Sequence, residues 1–83
     1  MSQRGKTKDE QFMITLYETA ERSGSIFNPV NRFEIGRLIG MNEKGLQTIC
    51  RTLLQSNFIK KRGEEDIILT ELGKSLVIGF LER

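Results

Sequence analysis

The sequence has no His and no Trp, a single Cys (Cys50) and a single Pro (Pro29). Each absence excludes something. One Cys cannot close an internal disulfide, and a thiolate zinc site needs several ligands. Without His, the Ser-His and Cys-His nucleophile pairs and the His-metal chemistries are missing. No nucleophile–base pair and no metal-ligand cluster can be assembled, so no catalytic site, metal or cofactor is expected and the chain does not read as an enzyme. The run Glu64-Glu65-Asp66 reads as a solvated turn. No apolar run approaches the ~18 residues of a membrane span. The start, from Met1 to Lys8, is positive but has no apolar stretch behind it, unlike a secretory signal. A cytoplasmic, reducing setting without a membrane partner is the expectation.

What remains is 83 residues, enough for one domain, with 37% hydrophobic and 29% charged residues, a globular balance. The net charge of +2 hides a block pattern. Residues 1–8 carry +3 through Arg4, Lys6 and Lys8, and residues 9–31 carry −3. Residues 32–62 carry +5, and residues 63–83 carry −3. A localised basic block is what an anionic partner needs.

Residues 1–8 lack an apolar period and read as a flexible basic arm; residues 9–83 read as a single domain. From Asp9, the positions Phe12, Met13, Leu16, Tyr17 and Ala20 mark one face of a helix that stops near Gly24. Ile26 and Phe27 are candidates for a very short strand before Pro29. Asn31 then caps a second, short helix. Glu34 is placed to return the capping bond, and Val30 and Ile35 to staple across the cap. An alternative start uses Asn28 as cap with Pro29 in the first turn. The second helix ends at Gly40.

Asn42 caps a third helix from about Glu43 to Gln55. Its apolar face is Leu46, Ile49, Cys50, Leu53 and Leu54, and its polar face is Lys44, Gln47, Thr48, Arg51 and Gln55. Cys50 lies on the core face and reads as a small buried apolar residue. Phe58–Arg62 and Asp66–Leu69, joined by Gly63-Glu64-Glu65, read as an antiparallel hairpin. Thr70 caps a last helix with Leu72, Leu76, Val77, Phe80 and Leu81 inward and Ile78 elsewhere.

The order helix, short strand, helix, helix, β-hairpin, helix is mainly α with a small β-hairpin (α+β). Its middle carries the spacing of a helix-turn-helix: Ile35, Gly36, Ile39, Gly40, Met41, Leu46 and Ile49. Gly36 allows close helix crossing, and Gly40 a left-handed turn. This pattern resembles the winged helix-turn-helix domains of bacterial and archaeal transcription regulators. Leu54-Gln55-Ser56-Asn57-Phe58-Ile59 and Ile68-Leu69-Thr70-Glu71-Leu72-Gly73 look like that superfamily's wing entry and exit. The resemblance covers about residues 10–81.

The resemblance implies a winged-helix, sequence-specific DNA-binding protein and transcriptional regulator, its third helix in the major groove of double-stranded DNA. Carried over by position, Asn42, Lys44, Gln47, Thr48 and Arg51 face the groove. Gln47 suits adenine, and Lys44 or Arg51 suits guanine or phosphate. Lys60, Lys61 and Arg62 are wing contacts to phosphates, with Arg32, Arg4, Lys6 and Lys8 adding backbone contacts. The acidic tip at Glu64, Glu65 and Asp66 limits the wing to its first strand or keeps it off DNA. Either the first or last helix forms a homodimer, with Ile78 as candidate spare surface, or the domain binds as an accessory module and Ile78 caps the monomer core. Set beside this are plainer readings: a solvated helix face, and Lys60-Lys61-Arg62 as edge-strand protection. The alternative function is a winged-helix protein–protein interaction module without DNA binding.

Overall fold

A computed structural model describes residues 7–82; Arg4 and Lys6, expected as arm contacts, lie outside the described residues. The first helix, α1, runs Lys8–Arg22. Thr7 caps it, its hydroxyl accepting from the Glu10 main-chain N–H at 3.2 Å. Lys8, read as the end of the arm, is therefore the first helical residue. Its Nζ donates to the main-chain oxygen of Ile39 at 3.0 Å, so it serves the end of a neighbouring helix. That arrangement follows the preference of cations for helix C-termini.

Phe12, Met13, Leu16 and Ala20 are buried as the helical period predicts, and Ile14 is buried as well. The wider buried face arises because α1 meets α2, α4 and β1, so more than one side of it is covered. Burying a side chain of this size contributes roughly 1.5–3 kcal/mol.

The connector holds no strand at Ile26 and Phe27, which are partly buried against the core in turns. Asn28 does not cap a helix. Its Nδ2 folds back to Ser23, donating to the main-chain oxygen at 3.2 Å and to Oγ at 3.0 Å. The short strand comes later: β1 is Val30–Asn31 and pairs antiparallel with β3. It is too short for a visible alternation, and its pairing partner lies 37 residues away at Ile67 opposite Val30.

Asn31 ends that strand and caps α2, Arg32–Leu38, accepting from the Phe33 N–H at 2.8 Å. Glu34 makes no return bond among the described residues and is exposed. Val30 and Ile35, either side of the cap, both lie in the core. At the far end Met41 N–H bonds to Gly36 O at 2.8 Å and Gly40 N–H to Arg37 O at 3.3 Å. This double closure requires a left-handed residue, and Gly40 supplies it at φ +71°.

Helix α3 is Glu43–Gln55, with Leu46, Cys50 and Leu53 buried. It crosses α2 at Gly36, where a Cβ would come within 3.1 Å of Leu46 Cδ2. The same closure ends α3: Phe58 N–H bonds to Leu53 O at 3.0 Å and Asn57 N–H to Leu54 O at 3.1 Å. Asn57 takes the left-handed position at φ 65°.

Strands β2 (Ile59–Arg62) and β3 (Asp66–Leu69) form the hairpin. With β1 they make a three-stranded antiparallel sheet in the order β1-β3-β2. Ile59 faces Leu69 and Lys61 faces Ile67; Lys60 faces Ile68 and Arg62 faces Asp66. Ile59, Ile67 and Leu69 are buried beneath the helices.

Thr70 caps α4, Glu71–Leu81, accepting from Gly73 N–H at 3.0 Å. The inward set differs from the sequence reading. Leu72 is 53% exposed and Leu81 40% exposed, whereas Gly73 and Val77 are buried. The backbone at Gly73 sits against the Phe58 carbonyl, which turns the helix so that residues 73, 77 and 80 form its inner line. Leu72 is thereby turned outward. The described structure is thus a small α+β domain of four helices and one antiparallel sheet.

Candidate nucleic-acid interface

The polar face of α3 lies opposite the line of Leu46, Cys50 and Leu53 that packs inward. Lys44, Gln47, Thr48 and Arg51 fall on one side of the helix by its period, and all four are exposed. The side chains of Lys44, Gln47 and Arg51 make no hydrogen bond or ion pair to any described residue. Thr48 differs: its hydroxyl donates to Lys44 O at 3.2 Å, leaving only its oxygen lone pairs for a partner.

Asn42 also has a local task. Its Oδ1 accepts from Gly45 N–H at 2.8 Å as the cap of α3. Only its amide nitrogen remains for an outside acceptor. Asn42 is thus first a helix start and second a candidate contact.

The wing residues do not act as one patch. Strand alternation puts Lys61 on the same face as Ile59, toward α3. Lys60 and Arg62 point to the opposite face, beside Ile68 and Asp66. The signal was present in the sequence: Ile59 is the buried member of β2, so period two separates Lys61 from its neighbours.

Arg32 is half-buried at the start of α2, and its place is set by the hairpin turn. Its Nη1 donates to Glu64 O at 2.9 Å, and its main-chain N–H donates to Glu65 O at 2.9 Å. Its guanidinium lies 4.8 Å from the centroid of the Phe33 ring. Asn31 Nδ2 adds a bond to Glu65 Oε1 at 3.3 Å. The acidic turn is therefore drawn back onto the start of α2. Nothing local in the sequence marks this contact, since Arg32 and Glu64 are 32 residues apart.

Four of the expected contact residues converge. Arg32, Gln47, Arg51 and Lys61 line an open cleft of ≈ 310 Å³ between α3 and β2, with Cys50 and Leu54 completing it. Three of its six lining residues are cations and none is acidic. Cys50 and Leu54 were missed as site residues because their positions on the apolar face identify them as core. Burial pushes the Cys50 thiol above the ordinary thiol range, while the charge of Arg32 pulls it partly back.

A second cleft, of ≈ 290 Å³, lies on the other side of the hairpin against Phe27, Lys60 and Ile68. Among the described residues no group of three or more His, Cys, Asp and Glu side chains could hold a metal ion. No described helix is long and apolar enough to cross a membrane.

The helices proposed for self-association are also placed. The exposed residues of α1 (Lys8, Asp9, Glu21, Arg22) are all charged. On α4, Ile78 is half-buried, and the exposed Leu72 and Leu81 are nine residues apart, which puts them on opposite sides of the helix.

The fold and its basic cleft thus define a small α+β domain with a cationic helix face. The chain matches no protein-family model, and no curated protein or solved structure matches it.

Proposed function

We propose that this protein is a winged-helix DNA-binding protein, a sequence-specific transcriptional regulator that inserts α3 into the major groove of double-stranded DNA. The observation that carries the reading is α3 itself. It offers Lys44, Gln47 and Arg51 to solvent without protein partners, on the face opposite its packed side. A helix with its donors unclaimed is suited to base edges and phosphates. Support comes also from the tight α2–α3 turn at Gly40, the close crossing at Gly36 and the hairpin immediately after α3.

The test is titration of the protein with duplex DNA at low salt, followed by amide NMR. Shifts at Lys44, Gln47, Thr48 and Arg51 that fade steeply as salt is raised are the expected result. Unmoved α3 signals at low salt sink the reading. A protein–protein interaction module is the second reading. The apolar cleft at Phe27 and Ile68 and the acidic turn at Glu64 and Glu65 favour it, and it predicts unmoved α3 signals.

A further inference from the structure

We propose that the cleft between α3 and β2 is a seat for one phosphate group, and that it divides the DNA-facing surface into an anchoring part and a reading part. The phosphodiester of bound DNA is the occupant that follows from the function proposed above, on which this assignment rests. Free phosphate shares the same chemistry.

Three elements each bring one cation to the cleft: Arg32 from α2, Arg51 from the second half of α3, and Lys61 from β2. Like charges repel, and no carboxylate lines the cleft to balance them. Arg51 and Lys61 have no hydrogen bond or ion pair to a described residue. Arg32 is held in place by its bond to Glu64 O at 2.9 Å and by the Phe33 ring. The cleft therefore offers one fixed cation and two that can close on a ligand. Guanidinium groups fit phosphate oxygens in pairs, and an ammonium supplies a point charge. Cys50 and Leu54 form an apolar wall, which strengthens the attraction by lowering the local dielectric. Gln47 also lines the cleft, but one helical turn before Arg51, on the side of Lys44, and carries no charge to anchor a phosphate.

The division follows from the helix repeat. Arg51 is seven residues beyond Lys44, so the two sit about 10 Å apart along α3. With a phosphate held between Arg51 and Lys61, that end of α3 lies against the DNA backbone. The base edges are then left to Lys44, Gln47 and Thr48. Arg51 becomes a positioning contact and not a guanine reader. Lys60 and Arg62, on the opposite face of the hairpin, contribute nothing to this seat.

The experiment compares the wild type with Arg51→Gln, Lys61→Gln and Gln47→Ala. Binding to two duplexes of different sequence is measured over a salt series. Amide and arginine side-chain signals are recorded separately with inorganic phosphate, against chloride at matched ionic strength. Arg51→Gln and Lys61→Gln are expected to weaken both duplexes equally and to reduce the log–log salt slope by about 0.9 each. Gln47→Ala is expected to change the ratio between the duplexes.

A wild type that binds DNA, with slopes unchanged in both charge variants, overturns the phosphate seat while the DNA reading stands. Cleft signals that move with phosphate but not with duplex or chloride keep the seat and overturn the DNA source. Signals that move with neither overturn both. Circular dichroism of each variant shows that a lost slope is not a lost fold.

Discussion

A Cβ placed on Gly73 would collide with the main-chain oxygen of Phe58 and lie 2.9 Å from Leu69 Cδ1. The start of α4 thus fits against the turn between α3 and β2 only because residue 73 has no side chain. The obstacle is backbone, and Phe58 N–H is itself tied to Leu53 O, so little can move aside. Gly73→Ala is expected to cost about 3 kcal/mol, the upper part of the overpacking range. Gly36→Ala is expected to cost less. Its new methyl meets the movable Leu46 side chain at 3.1 Å, and alanine's better helix propensity offsets about 1 kcal/mol. Urea denaturation of the two variants checks the order; a neutral Gly73→Ala contradicts the close approach.

Asn57 closes α3 in the left-handed region at φ 65°. Asparagine tolerates that backbone better than a residue with a plain Cβ, and glycine tolerates it best. Asn57→Ala is expected to lose about 1 kcal/mol, and Asn57→Gly to match or exceed the wild type. The readout is the urea midpoint. Equal loss in both variants would mean that the amide side chain, and not the backbone angle, stabilises this turn.

Cys50 is 6% exposed, and burial raises its thiol above the ordinary range, with Arg32 opposing. A thiol that ionises less readily folded than unfolded favours the fold below the unfolded value, about 8.5. That contribution is lost as pH rises from there through the folded value. The wild type is therefore expected to lose stability relative to Cys50→Ala as pH rises above about 8.5. Parallel unfolding curves at pH 7 and pH 9.5 measure the difference. A gap that stays constant between them contradicts a buried, reluctant thiol.

Much of the fold was legible because its signals are local. Asn42, Thr70 and Asn31 each bond to an N–H two or three residues ahead, a relationship contained in a four-residue window. The face of α3 is likewise a matter of helical period. The third strand was not legible at Val30–Asn31, because two residues show no alternation and their partner is remote. Leu72 and Leu81 look inward by period alone; the seating of Gly73 on Phe58 decided otherwise.

The same boundary runs through the candidate site. By itself the sequence determined that residues 32–62 are basic and that Lys44, Gln47, Thr48 and Arg51 share a helix face. Only the tertiary structure decided that Arg32, Arg51 and Lys61 meet in one cleft and that Lys60 and Arg62 turn away from it. The physical reason is range. Caps and periods are set by neighbours a few residues apart, whereas the cleft depends on strand register, on the crossing of α2 by α3, and on a bond from Arg32 to a turn 32 residues away.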